Sequence, residues 1–188
     1  MNYVSYYLIM RDYIRQRGTA AFGTRLRRLS ERVDREVQAI YRERALAFEP
    51  RWFPIVSALH AHRTLSVGDL AELIGVTHAA VSPLRAELIA AGLVRTRPDR
   101  ADQRRLLVEL TPGGRRMVAR LLPLWTAIAD ATALLCAEAA PDLLDELDRI
   151  EAALGERSLK DRVALALDAE ARNAPPAQGG RHARARNP

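Results

Sequence analysis

The chain has 188 residues, room for one ordinary domain with extensions, and 48% of them are hydrophobic, enough for a core in water. Its formal net charge is +6, but Arg181, Arg184 and Arg186 of a tail without acids supply half of that, and 1–172 hold 26 basic against 23 acidic residues; net charge is therefore weak evidence for a nucleic-acid partner. A single cysteine, Cys136, excludes an internal disulfide, and the apolar run Tyr6–Met10 is too short for a bilayer and follows no positive region, so neither a membrane partner nor a signal peptide is expected and the compartment is expected to be the cytoplasm.

Residues 1–19 match no pattern and form an N-terminal extension. Phe22, Leu26, Leu29, Val33, Val37 and Ile40 then repeat every three or four residues, which predicts an amphipathic helix over Ala20–Ala45. Its other face carries Arg25, Arg28, Arg32 and Arg35 among acids, most simply a solvated face. Pro50 and Pro54 punctuate the chain, and Pro54 suits the start of a second helix reaching His62. Residues 20–63 are thus expected to be supporting and dimerising helices.

Residues 64–111 have the pattern of a helix-turn-helix followed by a charged β-hairpin. Ser66, with Asp69 three residues on, can cap a first helix in a capping box. Leu70, Ala71 and Ile74 fall on one face of it. Gly75 sits where the chain must turn, and Thr77 can cap a second helix running to Ala91. Val81, Leu84 and Leu88 form that helix's apolar face. Its outward residues near the start, Thr77, His78, Ala79, Ser82 and Arg85, would face base edges in a major groove of duplex DNA. The fork of Arg85 matches O6 and N7 of guanine, although a phosphate contact fits it equally. Pro83 forfeits a backbone hydrogen bond inside this helix and should bend it.

Leu93-Val94 begins one strand after Gly92, and Leu106–Leu110 forms the next. Between 95 and 105 lie five arginines, Arg95, Arg97, Arg100, Arg104 and Arg105. Such a tip suits a minor groove or phosphates. Arg97, Arg100, Asp102, Arg104 and Arg105 are its candidate DNA contacts. Asp102 either fixes the Arg104 fork before DNA arrives or makes an ordinary exposed ion pair of little energy.

Thr111-Pro112 opens a long helix by a cap and a first-turn proline. Val118, Leu121, Leu122, Trp125, Ile128, Thr132 and Leu135 make its stripe, with a bend expected at Pro123. Leu143, Leu147, Ile150 and Leu154 stripe the next helix. Ser158 and Asp161 cap a last one through Ala171. The stripes within 112–172 must be buried somewhere, either by a second copy or by one another in a monomeric cap. Residues 173–188 are expected to be a disordered basic tail.

The segment 65–111 resembles the winged helix of the MarR family of bacterial transcription regulators. Asp102-Gln103-Arg104 matches the D-x-R signature of that family's wing, and the strand ending in Thr111 matches as well. The resemblance spans roughly 20–154. It implies a mainly α fold with a small β-hairpin wing, that is, a winged helix-turn-helix plus a helical dimerisation region. It also implies an aspartate, here Asp102, that orients the arginine entering the minor groove, here Arg104. A homodimer with interlocked first and last helices follows, placing recognition helices about 34 Å apart on an inverted repeat of double-stranded DNA. The resemblance further implies a repressor released by a small aromatic ligand. Tyr41, Trp52, Phe53, His60 and Trp125 could line its pocket, or serve as plain core.

Residues 22–54 more narrowly resemble members in which a MarR-like half precedes an acetyltransferase domain. Too few residues follow the last helix for such a domain, and no acetyl-CoA loop is visible. A partner subunit related to those fusions, or a nonspecific DNA-binding protein, are the other readings. No phosphate-binding loop, nucleophile elbow or paired carboxylates support an enzyme, and no cofactor is implied. His60 and His62 point to different faces of a helix, so no metal site is expected. Cys136 lies among alanines and leucines and is expected to be a buried, inert thiol.

Overall fold

The computed structural model describes residues 12–102 and 105–173. Arg104, the tail arginines and most of the N-terminal extension fall outside them. The chain divides into two units, 1–129 and 130–188.

The first unit opens with a short helix α1 (Tyr13–Gln16), capped by Asp12, whose carboxylate accepts from the Ile14 amide at 3.1 Å. Arg28 of helix α2 (Phe22–Glu43) donates to the same carboxylate at 2.7 Å, so this arginine is tied to the extension rather than merely solvated. That guanidinium, more than any other neighbour, holds the Asp12 carboxyl below the usual range. A 3-10 turn (Pro50–Trp52) leads into α3 (Phe53–His62), with Pro54 in its first turn as expected. Ile55, Val56 and Leu59 of α3 are fully buried.

Strand β1 (Thr64–Ser66) follows, then α4 (Val67–Leu73), α5 (His78–Ala90), β2 (Val94–Pro98), β3 (Leu106–Leu110) and α6 (Pro112–Ala139). The expected hairpin is in fact two strands of a three-stranded antiparallel sheet, ordered β1-β3-β2. Strand β1 pairs Leu65 with Val108, and β2 pairs Thr96 with Val108. Three residues carry too little alternation to announce β1 in sequence; β3, with a neighbour on each side, makes it a strand. The capping box that starts α4 is complete: the Ser66 amide donates to Asp69 at 3.0 Å, and the Asp69 amide donates to Ser66 Oγ at 3.1 Å. Gly75, at φ +68°, makes the turn to α5, where an L side chain would be strained.

One core joins these elements. Tyr41 from α2, Leu59 from α3, Leu70 from α4, Leu88 from α5, Val108 from β3 and Leu121 from α6 are each at most 1% exposed. The start of α6 is set by Thr111, whose Oγ1 accepts from the Gly114 amide at 2.9 Å and donates to the Gly92 carbonyl at 2.7 Å. Gly114 itself lies against the Leu93 carbonyl, where a Cβ could not fit. Helix α6 continues through Pro123. It is long and apolar enough to cross a bilayer by length and composition. Yet Val118 and Leu121 on its first half are spent on the core.

The second unit continues α6 and adds α7 (Leu143–Glu156) and α8 (Leu159–Asn173). Ser158 caps α8 as expected, accepting from the Asp161 amide at 3.1 Å. No described residue from 130 to 173 is buried. The expected burial of Cys136 is therefore not met: the thiol is half-buried, because its helix turn packs into no core within the described residues.

Candidate nucleic-acid interface

The start of α5 presents the expected outward residues. Thr77 caps it, its Oγ1 accepting from the Ala80 amide at 3.2 Å. Thr77, His78 and Ala79 are exposed, whereas Val81 and Leu88 anchor the opposite face in the core. Ser82 is half-buried, and its hydroxyl donates to the His78 carbonyl at 3.2 Å. That back-bond turns the hydroxyl toward its own helix, one residue before Pro83. Arg85 is also half-buried, and its Nε has no hydrogen-bond partner although no water reaches it. It borders an open cleft of about 510 Å³ that Asp69, Glu72, His78 and Arg105 also line. An unmade bond of this kind costs stability unless a ligand completes it.

The back of α5 is held by Glu87. Its carboxylate accepts from the Trp52 indole nitrogen at 2.9 Å and lies 3.3 Å from Arg51. Trp52 leads into an aromatic cluster. Phe48 packs edge-on against both Trp52 and Tyr41, and Trp125 packs against Phe48 and Phe53, with ring centroids 4.9–5.9 Å apart. Such edge contacts are the favoured aromatic geometry. The Trp125 indole donates to the Tyr41 hydroxyl at 3.0 Å, while burial pushes the Tyr41 phenol above its usual range. Four of the five expected pocket residues are thus brought together. His60 is exposed on α3. Phe48 and Glu87 carry no signal in sequence; a phenylalanine in an irregular stretch and a glutamate on a helix are both ordinary.

The wing arginines have different surroundings. Arg95 pairs with Glu109 across the β2–β3 ladder at 2.6 Å, and Arg97 lies 3.7 Å from the same carboxylate. Arg100 is exposed at the tip and has no ion-pair partner among the described residues. Asp102 is exposed there too. Arg105 reaches back to Asp69 of α4 at 2.9 Å. Asp69 is held below the usual carboxylate range, chiefly by the Ser66 amide and then by the Ser66 hydroxyl, with Arg105 adding to both. The Arg95–Glu109 pairing is legible once the register is known; the Arg105–Asp69 pairing is not, because it joins residues 36 apart through the fold.

Chemically, the surface offers exposed polar residues on a helix start, arginines on a strand loop beside it, and no group of acids, histidines and cysteine able to hold a metal among the described residues. A model of the MarR family matches residues 48–105. No curated protein matches the chain. Similar solved structures include the transcriptional regulator PcaV from Streptomyces coelicolor, crystallised with its natural ligand (19% identity, TM-score 0.56, covering 75% of this chain and 94% of that one). AbsC, a MarR family transcriptional regulator from Streptomyces coelicolor, is 22% identical with a TM-score of 0.55, over 73% of this chain and 90% of its own. A MarR family transcriptional regulator from Silicibacter pomeroyi DSS is 26% identical with a TM-score of 0.51, over 73% and 91%. Residues 48–105 thus carry the similarity to the MarR family, and the chain has the fold of that family's solved transcriptional regulators.

Proposed function

We propose that the protein is a dimeric transcriptional repressor that binds an inverted repeat in duplex DNA and leaves it when a small aromatic molecule binds. The observation that carries this reading is the pairing of two surfaces. The exposed start of α5, with Thr77, His78 and Ala79, stands beside a wing whose tip holds Arg100 and Asp102. In this reading α5 enters the major groove, Arg85 turns its unpaired Nε side toward the DNA, and the wing follows the minor groove. Arg104, oriented by Asp102, is the wing's deepest contact.

Two features support the dimer and the ligand. Phe22, Leu26, Leu29 and Val33 on α2 remain exposed, as do the stripes of the second unit, and a second copy would cover them. A cleft of about 370 Å³ opens between the end of α2 and α6, and none of Tyr41, Trp52, Phe53, His60 and Trp125 lines it. Arg44 and Arg120 bring cations to it, and Leu46 and Leu124 bring apolar walls, which suits an aromatic acid.

The test is a footprint on DNA selected by the full chain from random duplexes, followed by salt titration. An inverted repeat with half-sites about one turn apart is expected. Arg104→Ala should weaken binding and flatten the slope of log affinity against log salt by about two per dimer. Unchanged slope and affinity would remove Arg104 from the interface; protection without sequence preference would make the protein a nonspecific binder.

A further inference from the structure

Arg105 opens the return of the wing, one residue before β3. Its guanidinium does not extend toward the tip. The terminal Nη2 donates to Asp69 Oδ1 at 2.9 Å and Oδ2 at 3.0 Å, and lies 3.2 Å from Ser66 Oγ. Those are the two side chains of the capping box that starts α4. The backbone of Arg105 is engaged as well. Its carbonyl accepts from the Asp99 amide and its amide donates to the Asp102 carbonyl, each at 2.9 Å. The Ala101 amide donates to Asp99 Oδ1 at 3.0 Å, which completes the loop. The wing loop therefore closes on the same residue that ties it to the first helix of the helix-turn-helix.

We propose that Arg105 is a positioning residue: it latches the wing loop to the Ser66–Asp69 capping box, and it serves DNA binding by placing Arg100 and Asp102 rather than by touching phosphate. The proposal rests on the DNA-binding reading above. Charge decides between the two roles. An arginine that neutralises a phosphate releases a counterion and adds to the salt slope. Arg105 already faces a carboxylate that the Ser66 amide and hydroxyl keep ionised, so its charge is largely met before DNA arrives. A phosphate would have to displace Asp69 and leave that carboxylate beside the DNA backbone, where like charges repel.

The two roles predict opposite signs for one substitution. Asp69→Asn removes the negative charge while keeping an oxygen for the Ser66 amide. If Arg105 contacts phosphate, this variant frees it and operator binding tightens. If Arg105 is a latch, the wing loosens and binding weakens. The experiment measures operator affinity against salt for the wild type, Arg105→Ala, Asp69→Asn and the double variant, with hydroxyl-radical footprints of each. The latch predicts that both single variants bind about tenfold more weakly with the salt slope kept, and that the double variant is no weaker than either. Minor-groove protection under the wing should fade while major-groove protection under α5 stays. A slope lowered by about two per dimer in Arg105→Ala, or tighter binding by Asp69→Asn, overturns the proposal. If the wild type selects no inverted repeat, the regulator reading fails by itself and amide hydrogen exchange judges the latch. Arg105→Ala must then speed exchange at Asp69 and Asp99 relative to the amides of α3, and equal exchange overturns it.

Discussion

The two units of the chain both carry apolar stripes on helices, yet the large apolar side chains of the first form a core and those of the second do not. In the first unit, Tyr41, Phe48, Leu59, Leu70, Leu88 and Leu121 are at most 1% exposed. In the second, Leu134, Leu144, Leu159 and Leu167 are between 60% and 72% exposed. Each buried leucine contributes about 1.5–3 kcal/mol, so the first unit holds its own stability. The second has clean stripes and nothing among its described residues to cover them. An apolar stripe tells which face must be buried; it does not tell what buries it.

The largest effect should come from filling the close approach of α6 to the backbone just ahead of β2. Gly114 on α6 faces the Leu93 carbonyl, and the Thr111 hydroxyl bridges the same junction. Gly114→Ala drives a Cβ into that carbonyl, and neither backbone can yield without moving α6 or the sheet. A loss of about 3 kcal/mol is expected, read as a fall in Tm on the order of 10 °C. A Tm within about 2 °C of the wild type would show that the α6–sheet junction is not the rigid seam of the first unit.

The next substitution addresses the second unit. Ile150 lies on the α7 stripe with Leu143, Leu147 and Leu154, and no described residue of the unit buries it. If a second copy covers this face, Ile150→Asp buries an unpaired carboxylate in the dimer and weakens association by about 100-fold or more. Sedimentation should show monomers at micromolar concentration, and Tm should lose its dependence on protein concentration. A variant that sediments like the wild type would remove the α7 stripe from any dimer contact.

Much of the first unit is legible in the sequence because its signals are local. Ser66, Gly75, Thr77 and Thr111 act on backbone within three or four residues of themselves, and each stands where its chemistry requires. Strand β1 is not legible, because three residues become a strand only through their pairing with β3. The wing illustrates the same limit. Five arginines announce a cationic tip, but Glu109 meets two of them and Asp69 a third. Those partners come from the ladder register and from a helix start far along the chain. The aromatic cluster is half visible: residue types could be named, but Phe48 enters only because an irregular turn sets its ring against Tyr41, Trp52 and Trp125.

A smaller effect is expected at the start of α5. Thr77 Oγ1 accepts from the Ala80 amide, and Thr77→Ala leaves that donor to water. Loss of such a cap costs about 1 kcal/mol. Because Thr77 is also exposed on the proposed DNA face, its stability and affinity effects should separate. Thr77→Ser keeps the cap and should restore the Tm. A full loss of Tm in Thr77→Ser would assign the residue's role to its methyl group instead.

Acid should act on the first unit through Asp69. Its carboxyl is depressed in the folded chain, so the stability it provides is present above the unfolded value of about 3.9 and is lost as pH falls through the lower folded value. The side chain is 44% exposed, and solvent screening keeps this contribution below about 1 kcal/mol. Urea unfolding between about pH 5 and pH 3 should show a steeper decline for the wild type than for Asp69→Asn. Parallel declines would mean that the capping-box carboxylate titrates alike in both states.

The smallest expected effect returns to the contrast between the units with the same chemical change. Gly155 lies inside α7, and a Cβ added there meets no atom within 4 Å. Glycine inside a helix costs conformational entropy, so Gly155→Ala should stabilise by about 0.5 kcal/mol, while Gly114→Ala destabilises several times more. Both residues sit in helices, and propensity alone would make both substitutions favourable. Only Gly114 packs against another element's backbone. Stabilisation at 155 with destabilisation at 114 would show packing overriding propensity in the first unit and propensity acting unopposed in the second. A loss of stability at 155 would mean that a neighbouring copy approaches α7 closely enough to need the glycine, and the dimer contact would then extend to its last turn.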